Sequence, residues 1–464
     1  MKTGKKIIGT FVPIGSLLSN KLPKNKRGTF EEGLIFLDWL KKTNQSAWQF
    51  LPLHETYLKP GSTNKHSSSP YDGYSIGFDP IYLPKSYKNI TPTDREKSNF
   101  VKENKSWILD YALFCALRDH FKTDDWKKWK DKLRNRDRRE LKIWEKKLKK
   151  EINKYIIMQW QLNKAFIELK AKSKKLGIIL IGDMPFYVSR KSPLVWANQN
   201  VFNLEDDGSL NYVSGVISDD PMFGRQVWGH PLYNWDDKKR HKEIIGFWKN
   251  RVEYASKYFD IVRIDHAIAF FDYGKMHKEN EDKDIQKKGP GEKIFRNIIN
   301  FGRKHNLSFF VEDQGDNVED LRKAMKKLKV PGIKILRMGI LEKENKFDEQ
   351  HLNPKKYGKN TVAYTTTHDT ETLLGFLSII DDKQKRALVE ASNLPYERDD
   401  NKLLVHLRNS VINSPAKTVI IPIQDFLGIK DRINVPGTTE SSNNKNWKFR
   451  IPLPIEELPT NIFS

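Results

Sequence analysis

The sequence predicts an α/β fold, a (β/α)8 TIM barrel with inserted, mainly helical subdomains. Eight short apolar or β-branched runs recur along the 464 residues, and buried parallel strands read as such continuous runs. Helix-like stretches of the length that a crossover needs, for instance 291–304 and 318–328, separate the later runs. Several runs end in a polar or charged residue, at the position where barrels of this kind carry their active sites.

The predicted strands follow one another along the whole chain. They are KKIIGTFVPI from Lys5, AWQFLPL from Ala47, GIILIGD ending at Asp183, FDIVRID ending at Asp265, LSFFVED ending at Asp313, GIKILRM from Gly332, TVAYTTTHD ending at Asp369 and KTVIIPIQD ending at Asp425. The second and third runs are too far apart for one crossover. We therefore expect one elaborated domain over 1–464, with insertions at about 60–175, helical from about 99, and at 186–248, both on the C-terminal face of the barrel.

The charge of the chain does not by itself indicate a nucleic-acid partner. The formal net charge is +23, but the lysines are spread along the whole sequence. They are densest in 127–154, where apolar residues recur at the spacing of an amphipathic helix with a solvated face. We expect surface lysines here, no nucleic acid as partner, and a site elsewhere in the chain.

Cysteine content and hydropathy bear on the cellular location. Cys115 is the only cysteine, which excludes an internal disulfide and any cysteine-based metal cluster and favours a reducing compartment. The N-terminal lysines followed by IIGTFVPIGSLL resemble a secretion signal, but the run is interrupted by Gly and Pro and no cleavage pattern follows. No stretch of apolar residues is long enough for a membrane helix. We expect a cytoplasmic protein without a membrane partner.

Several common catalytic motifs are missing from the sequence. There is no GxxxxGK[ST] phosphate loop, no GxGxxG, no HExxH and no GxSxG. The absence of these motifs argues against metal-dependent, dinucleotide-binding and serine-hydrolase chemistry, and we expect neither a metal nor a cofactor.

What remains is a set of carboxylates at strand ends. Retaining cleavage of a glycosidic bond needs one carboxylate that attacks the anomeric carbon and a second carboxyl, about 5 Å away, that protonates the leaving oxygen. Asp265 and Glu312 suit the ends of two adjacent strands, and Asp369 follows a later one. A strand-end Asp can instead cap the next helix. Arg263, on the same strand face as Asp265, could hold that carboxylate ionised.

The four segments that contain these strand-end acids are GDMPFYV, VRIDH, VEDQG and TTTHD. They resemble the conserved regions of the α-amylase superfamily in the form found in amylomaltases. Amylomaltases are the 4-α-glucanotransferases, also called disproportionating enzymes. Further stretches agree in order, among them SSSPYDGYS, LVWANQNVFNL, QVWGHPLYNW, PGIKILRMG and DRINVPGTTE. The resemblance covers nearly the whole chain, from about residue 7 to residue 452.

The resemblance implies residue roles where the motifs match. Asp265 is the expected nucleophile, Glu312 the general acid/base, and Asp369 the carboxylate that orients sugar hydroxyls and stabilises the transition state. The expected substrate contacts are Tyr71, which stacks on the sugar, Arg263, His368 and Asp183 beside the scissile bond, His266 and Asp219 from the matching segments, and Trp228 and Asn434 as peripheral glucan contacts. Tyr71 and Trp228 could also be core aromatics, and Asn434 a turn residue.

The sequence also departs from the family pattern in three loops. The segment 22–33 reads LPKNKRGTFEEG in place of a short IGDLG-like loop, the segment 219–225 lacks an aromatic pair after Asp219, and 267–288 is rich in lysine. These changes bear on acceptor binding, chain-length preference and cyclic products rather than on bond cleavage.

The implied function is transfer of α-1,4-glucan segments between maltooligosaccharides by a retaining double displacement. Two alternatives remain open: a maltodextrin hydrolase that uses the same residues, and a degenerate glucan-binding protein without activity. We also expect the charge of Asp265 and a closed cleft to hold Glu312 partly protonated near neutral pH.

Overall fold

Eight parallel strands form the central sheet. A computed structural model describes residues 5–56, 69–218, 224–341, 346–438 and 445–463. The strands are β1 (Ile7–Phe11), β2 (Ala47–Gln49), β3 (Ile179–Met184), β4 (Ile261–Ile264), β5 (Ser308–Val311), β6 (Gly332–Ile335), β7 (Thr361–Tyr364) and β8 (Thr418–Pro422). Seven of them lie inside a predicted run, and β3 extends one residue beyond its run, to Met184.

The sheet curls into a barrel. Its order is β5-β4-β3-β2-β1-β8-β7-β6, so strands that follow one another in the chain are neighbours and β1 pairs with β8 in parallel. The two end strands meet where the amide of Val311 donates to the carbonyl of Pro331 at 3.0 Å. The predicted (β/α)8 barrel is confirmed.

Helices surround the barrel and fill the long connections. They are α1 (Phe30–Lys42), α2 (Asp94–Glu103), α3 (Ile108–Phe121), α4 (Asp131–Arg134), α5 (Arg138–Lys147), α6 (Lys149–Leu176), α7 (Pro193–Ala197), α8 (His241–Tyr258), α9 (Glu292–Lys304), α10 (Glu319–Leu328), α11 (Glu349–Leu352), α12 (Leu373–Leu377), α13 (Asp382–Ser392), α14 (Asp400–Ile412) and α15 (Ile423–Leu427). The predicted crossover helices 291–304 and 318–328 are confirmed as α9 and α10. None of the helices in the described ranges combines the length and apolar character needed to cross a membrane.

The lysine-rich segment 127–154 is not one amphipathic helix. It contains α4, α5 and the start of α6, and Arg136, between α4 and α5, adopts a left-handed backbone conformation with φ 58°. Such a residue cannot continue a right-handed helix. The apolar residues at helical spacing therefore run through two consecutive helices, α5 and α6.

The connection between β2 and β3 contains α2 to α6. The last of these, α6, packs against α1 and leads directly into β3, which is the position of a barrel crossover helix. Phe166 of α6 stacks on Phe78 with ring centroids 4.7 Å apart and belongs to the buried hydrophobic core. We propose that the first insertion ends before α6, nearer residue 148 than residue 175.

Small antiparallel sheets lie outside the barrel. Four strands from two different loops form one of them, namely Val213–Val216, Gln226–Val227, Asp272–Met276 and Ile285–Lys288. The others are the pairs His54–Thr56 with Gly73–Phe78 and Ile340–Leu341 with Lys346–Phe347. The four-stranded sheet joins the second predicted insertion to the lysine-rich loop 267–288, a contact that the sequence did not predict.

Candidate active site

Four acidic residues lie near the carboxyl ends of barrel strands. Asp183 is in β3, Asp265 and Glu312 directly follow β4 and β5, and Asp369 follows β7. Because Asp183 and Arg263 are register partners on adjacent parallel strands, their side chains meet at the same edge of the barrel. The fold therefore gathers residues that are far apart in sequence at one end of the sheet.

Arg263 is the centre of this cluster. Its Nη1 atom lies 2.8 Å from Asp183 Oδ2 and 2.8 Å from Asp265 Oδ1. Its Nη2 atom lies 2.9 Å from Glu312 Oε2. Only 5% of Arg263 is exposed, so one buried guanidinium contacts three acidic side chains. Asp265 and Glu312, the two predicted catalytic residues, contact the two terminal nitrogens of the same group.

Tyr71 closes the Asp183 side of the cluster. Its hydroxyl donates to Asp183 Oδ2 at 2.8 Å and lies 3.0 Å from His368 Nε2. Its ring stacks on the His368 ring with centroids 5.3 Å apart and an interplanar angle of 16°. The Asp183 side chain is fully buried, with 0% exposure, and does not face the cleft. Its carboxylate binds Arg263 and Tyr71 on the side away from the cleft.

Asp369 is held by its neighbours in the chain and by a distant amide. His368 Nε2 lies 2.9 Å from Asp369 Oδ2. The Nδ2 group of Asn434 donates to Asp369 Oδ1 at 2.6 Å, and the amide of Asn434 donates to the carbonyl of His368 at 3.0 Å. Asn434 therefore contacts the carboxylate directly and fixes the backbone beside it.

An arginine that the sequence analysis missed supports this pair. Arg432 donates from Nη2 to the carbonyl of Asp369 at 2.8 Å and from Nε to the carbonyl of Asn434 at 3.1 Å. Its Nη1 contacts Glu371, which also binds Arg337 Nε at 2.8 Å. Arg432 lies in the same DRIN segment as Asn434, so the motif that indicated Asn434 could also have indicated Arg432.

Glu312 is also contacted by the backbone of His266. The His266 amide donates to Glu312 Oε2 at 2.9 Å, an approach made possible by the left-handed conformation of His266, with φ 44°. The His266 ring meets the ring of Trp228 edge-on, with centroids 4.7 Å apart. Trp228 therefore lies on the Glu312 side of the cluster.

A cleft of about 830 Å³ opens above the cluster, within the size range of ligand-binding clefts, about 300–1,000 Å³. The predicted site residues that line it are Tyr71, Trp228, Arg263, Asp265, His266, Glu312, His368, Asp369 and Asn434. Asp183 lies behind the cleft wall, and Asp219 falls outside the residues that the structure describes.

Trp447 also lines the cleft and was not predicted. Its ring centroid lies 6.0 Å from Tyr71 and 6.0 Å from His368. Trp447 has φ 62°, a left-handed conformation that is rare for a bulky side chain. An isolated tryptophan in a segment rich in Asn and Lys shows no periodicity, so the sequence carried no signal of this position.

The charges of Asp265 and Glu312 are arranged opposite to our expectation. Burial raises the pKa of the Asp265 carboxyl well above its ordinary value, and the charges of Glu312 and Asp183 add to this, against the effect of Arg263. Burial also disfavours the Glu312 charge, but Arg263 and the His266 amide outweigh it and lower the pKa of Glu312. The prediction of a partly protonated Glu312 was therefore wrong for the unliganded site, because two donors stabilise its carboxylate.

Asp369 and His266, two further groups that line the cleft, also have shifted pKa values. Burial works against the Asp369 charge, but His368 and the hydrogen bonds from His368 and Asn434 hold the pKa of Asp369 at about 2. Burial lowers the pKa of His266 to about 4, so its ring is neutral. Among the described residues no group of His, Cys, Asp and Glu is arranged to hold a metal ion.

Comparisons with known proteins agree with this geometry. A family model described as 4-alpha-glucanotransferase matches residues 78–454. The chain is 30% identical over 457 residues to a 4-alpha-glucanotransferase of Aquifex aeolicus, covering 91% of each chain, and 30% identical over 485 residues to one of Clostridium butyricum, covering 94% of this chain and 96% of the relative. Its structure is similar to amylomaltase from Streptococcus agalactiae in complex with acarbose, with a TM-score of 0.81, 26% identity and coverage of 96% and 95%.

Proposed function

Because the chain belongs to the 4-alpha-glucanotransferase family, we propose that it transfers α-1,4-linked glucan segments between maltooligosaccharides. The observation that supports this most directly is the pair Asp265 and Glu312. Both bind the terminal nitrogens of Arg263 at the base of an open cleft. Two carboxyl groups that face one sugar ring are the requirement of retaining glycoside chemistry.

In the proposed first step, Asp265 attacks the anomeric carbon of the donor glucan. The bond from that carbon to the glycosidic oxygen breaks, and Glu312 gives its proton to the leaving chain. The product is a covalent glycosyl ester on Asp265. Asp369, whose low pKa keeps it charged, accepts hydrogen bonds from sugar hydroxyls in this scheme.

In the proposed second step, the 4-hydroxyl of a second glucan attacks the same carbon. The ester bond to Asp265 breaks, and the Glu312 carboxylate takes the hydroxyl proton. Two inversions give net retention of the α configuration, and both side chains return to their initial state. Water in place of the second glucan would give hydrolysis.

The protonation of the resting site adds one requirement to this scheme. Without substrate, the pKa of Asp265 is raised and the pKa of Glu312 is lowered, so a proton binds to Asp265 more readily than to Glu312. The first step needs the reverse. We propose that Asp265 and Glu312 share this proton and that donor binding moves it from Asp265 to Glu312, because the glycosidic oxygen beside Glu312 can then accept it. The positive charge that develops at the anomeric carbon favours ionised Asp265.

The products made from maltotriose test the function. Transfer yields glucose together with longer oligosaccharides while the number of reducing ends stays constant, whereas hydrolysis yields only shorter products and increases reducing ends. Asp265→Asn should abolish both changes. Asp38→Asn is the matched control, since Asp38 forms an exposed ion pair with Lys172 outside the cleft. Binding of maltotriose without turnover by the unmodified protein would contradict the proposal.

The location is a separate proposal. The single cysteine, Cys115, is buried and unpaired, which suits a reducing compartment, and we propose that the enzyme acts in the cytoplasm. Recovery of the native protein from a secreted fraction would contradict this.

A further inference from the structure

Two tryptophans flank the cluster from different sides. Trp228 lies beside His266, whose amide binds Glu312. Trp447 lies beside Tyr71 and His368. Glu312 binds Nη2 of Arg263 at 2.9 Å, whereas the Tyr71 hydroxyl lies 3.3 Å from Nη1. The two rings therefore border different ends of the catalytic cluster.

The chemistry gives these two ends different partners. In the proposed reaction, Glu312 protonates the leaving oxygen, so sugars beyond Glu312 belong to the leaving or accepting chain. Sugars on the other side of the attacked carbon belong to the donor segment that becomes attached to Asp265. Trp447 is on that second side. An aromatic ring at the wall of a cleft offers the apolar surface on which a sugar ring can stack.

The backbone of Trp447 is strained and held in place. Its φ of 62° lies in the left-handed region, which is unfavourable for a residue that is not glycine, so the surrounding structure must enforce it. The amide of Trp447 donates to the carbonyl of Ile433 at 2.7 Å, next to Asn434. Its carbonyl accepts from Arg27 Nη2 at 3.2 Å. Strain of this kind is concentrated at functional sites.

Arg27 connects this arrangement to a loop that departs from the family pattern. It belongs to the segment 22–33, which reads LPKNKRGTFEEG, and its contact with Trp447 spans 420 positions of sequence. The departing loop therefore reaches the donor side of the cleft through the backbone of one tryptophan.

We propose that Trp447 is the stacking surface for the second glucose unit of the donor segment, and that Arg27 is a positioning residue that holds it there. This deepens the proposed function and rests on it. The proposal predicts that Trp447 sets the preference for donors of two or more glucose units and leaves acceptor binding unchanged.

Glycosyl fluorides separate the donor side from the leaving-group side, because fluoride leaves without occupying sugar positions beyond Glu312. Fluoride release would be measured with α-glucosyl fluoride and α-maltosyl fluoride at saturating glucose as acceptor. In the unmodified protein the maltosyl donor should have the lower KM. Trp447→Ala should raise KM for the maltosyl donor about ten-fold relative to the glucosyl donor, and Trp447→Phe should restore most of the preference.

Two tryptophan controls sharpen the result. Trp228→Ala should raise the KM for the glucose acceptor and leave the ratio of the two donor KM values unchanged. Trp144→Ala, at a partly exposed ring that hydrogen-bonds Glu140 on α5 away from the cleft, should change neither. An equal effect of Trp447→Ala on both donors, or no effect, would overturn the proposal.

The role of Arg27 is tested by a double-mutant cycle. Arg27→Ala should shift the donor ratio in the same direction as Trp447→Ala but less, and the double variant should be no worse than Trp447→Ala alone. A lower Tm with an unchanged donor ratio would show that Arg27 is only structural and would overturn its part of the proposal. If the unmodified protein releases no fluoride and makes no product from maltotriose, the proposed function itself fails.

Discussion

The Oε2 atom of Glu312 lies 2.9 Å from Nη2 of Arg263. This contact and the His266 amide make Glu312 the ionised member of the pair in the unliganded site, although the proposed chemistry uses it as the acid. The roles of Glu312 and Asp265 therefore need a test that does not depend on the resting charges.

Donors with different leaving groups provide that test. We expect Glu312→Ala to lose activity on maltotriose by about a thousand-fold or more, but to release fluoride from α-maltosyl fluoride in a burst equal to the enzyme concentration. Fluoride needs no proton to leave, and the missing base slows the second step, so the glycosyl-enzyme should accumulate and be visible by mass spectrometry. Asp265→Ala should show no burst; a burst from Asp265→Ala alone would reverse the assignment.

The pH dependence of the reaction should respond to Asp183. Its charge is one cause of the raised pKa of Asp265, and its side chain is fully buried beside Arg263. Removing this negative charge by Asp183→Asn lowers the pKa of the shared proton, so that proton is lost at lower pH. The alkaline limb of kcat/KM for maltotriose should therefore move to lower pH. Asp38→Asn should leave the limb in place, and an unmoved limb in Asp183→Asn would refute the coupling.

The acid side of the profile should respond to Asn434. The hydrogen bond from Asn434 helps to hold the pKa of Asp369 at about 2, so Asp369 stays charged in mildly acidic solution. Asn434→Asp replaces the donor with a second carboxylate and should raise the pKa of Asp369. Activity should then fall as the pH drops through the new value, and kcat at neutral pH should decrease about ten-fold. Asn434→Ala removes the hydrogen bond without adding charge, so its acid limb should move less than that of Asn434→Asp. Acid limbs that stay at the position of the unmodified protein in both variants would contradict the explanation.

Asp425 should matter for stability rather than for chemistry. Its buried carboxylate accepts from Thr365 Oγ1 at 2.5 Å, from Thr366 Oγ1 at 2.6 Å and from the amide of Leu373 at 2.7 Å. Asp425→Ala leaves these donors unpaired and should lower the free energy of unfolding by about 3–5 kcal/mol, measured by urea denaturation. Asp425→Asn keeps an acceptor and should lose less. A change within about 0.5 kcal/mol, as expected for Asp38→Asn, would show that the contacts contribute little.

The barrel was predictable because its signal is local. Each of the eight strands is a short apolar run, and the register of parallel strands brings their ends together without further information. Asp425 ends a predicted run as Asp265 does, but it lies in α15, beyond the end of β8. Its carboxylate accepts from the first amide of α12, an earlier helix that the side chain of Thr372 caps. The strand-end pattern alone could not separate that Asp from Asp265.

The features that the sequence did not predict depend on contacts between distant parts of the chain. The pKa of Glu312 is lowered by Arg263 and by the amide of His266, and the left-handed backbone of His266 is not indicated by the sequence. Trp447 meets Tyr71 and His368 only after the C-terminal segment folds over the cleft. The four-stranded sheet pairs strands from two loops, so neither loop alone contains its pattern.

The pairing of β1 with β8 has a consequence for biosynthesis. β1 leaves the ribosome early and finds β2 soon afterwards, but its other edge waits for a strand that is translated last among the eight. At about 5–20 residues per second that wait lasts on the order of tens of seconds. During this time the nascent chain exposes an apolar strand edge of the kind that aggregates or recruits chaperones, so slow translation of the later helices extends the period of greatest risk for this protein.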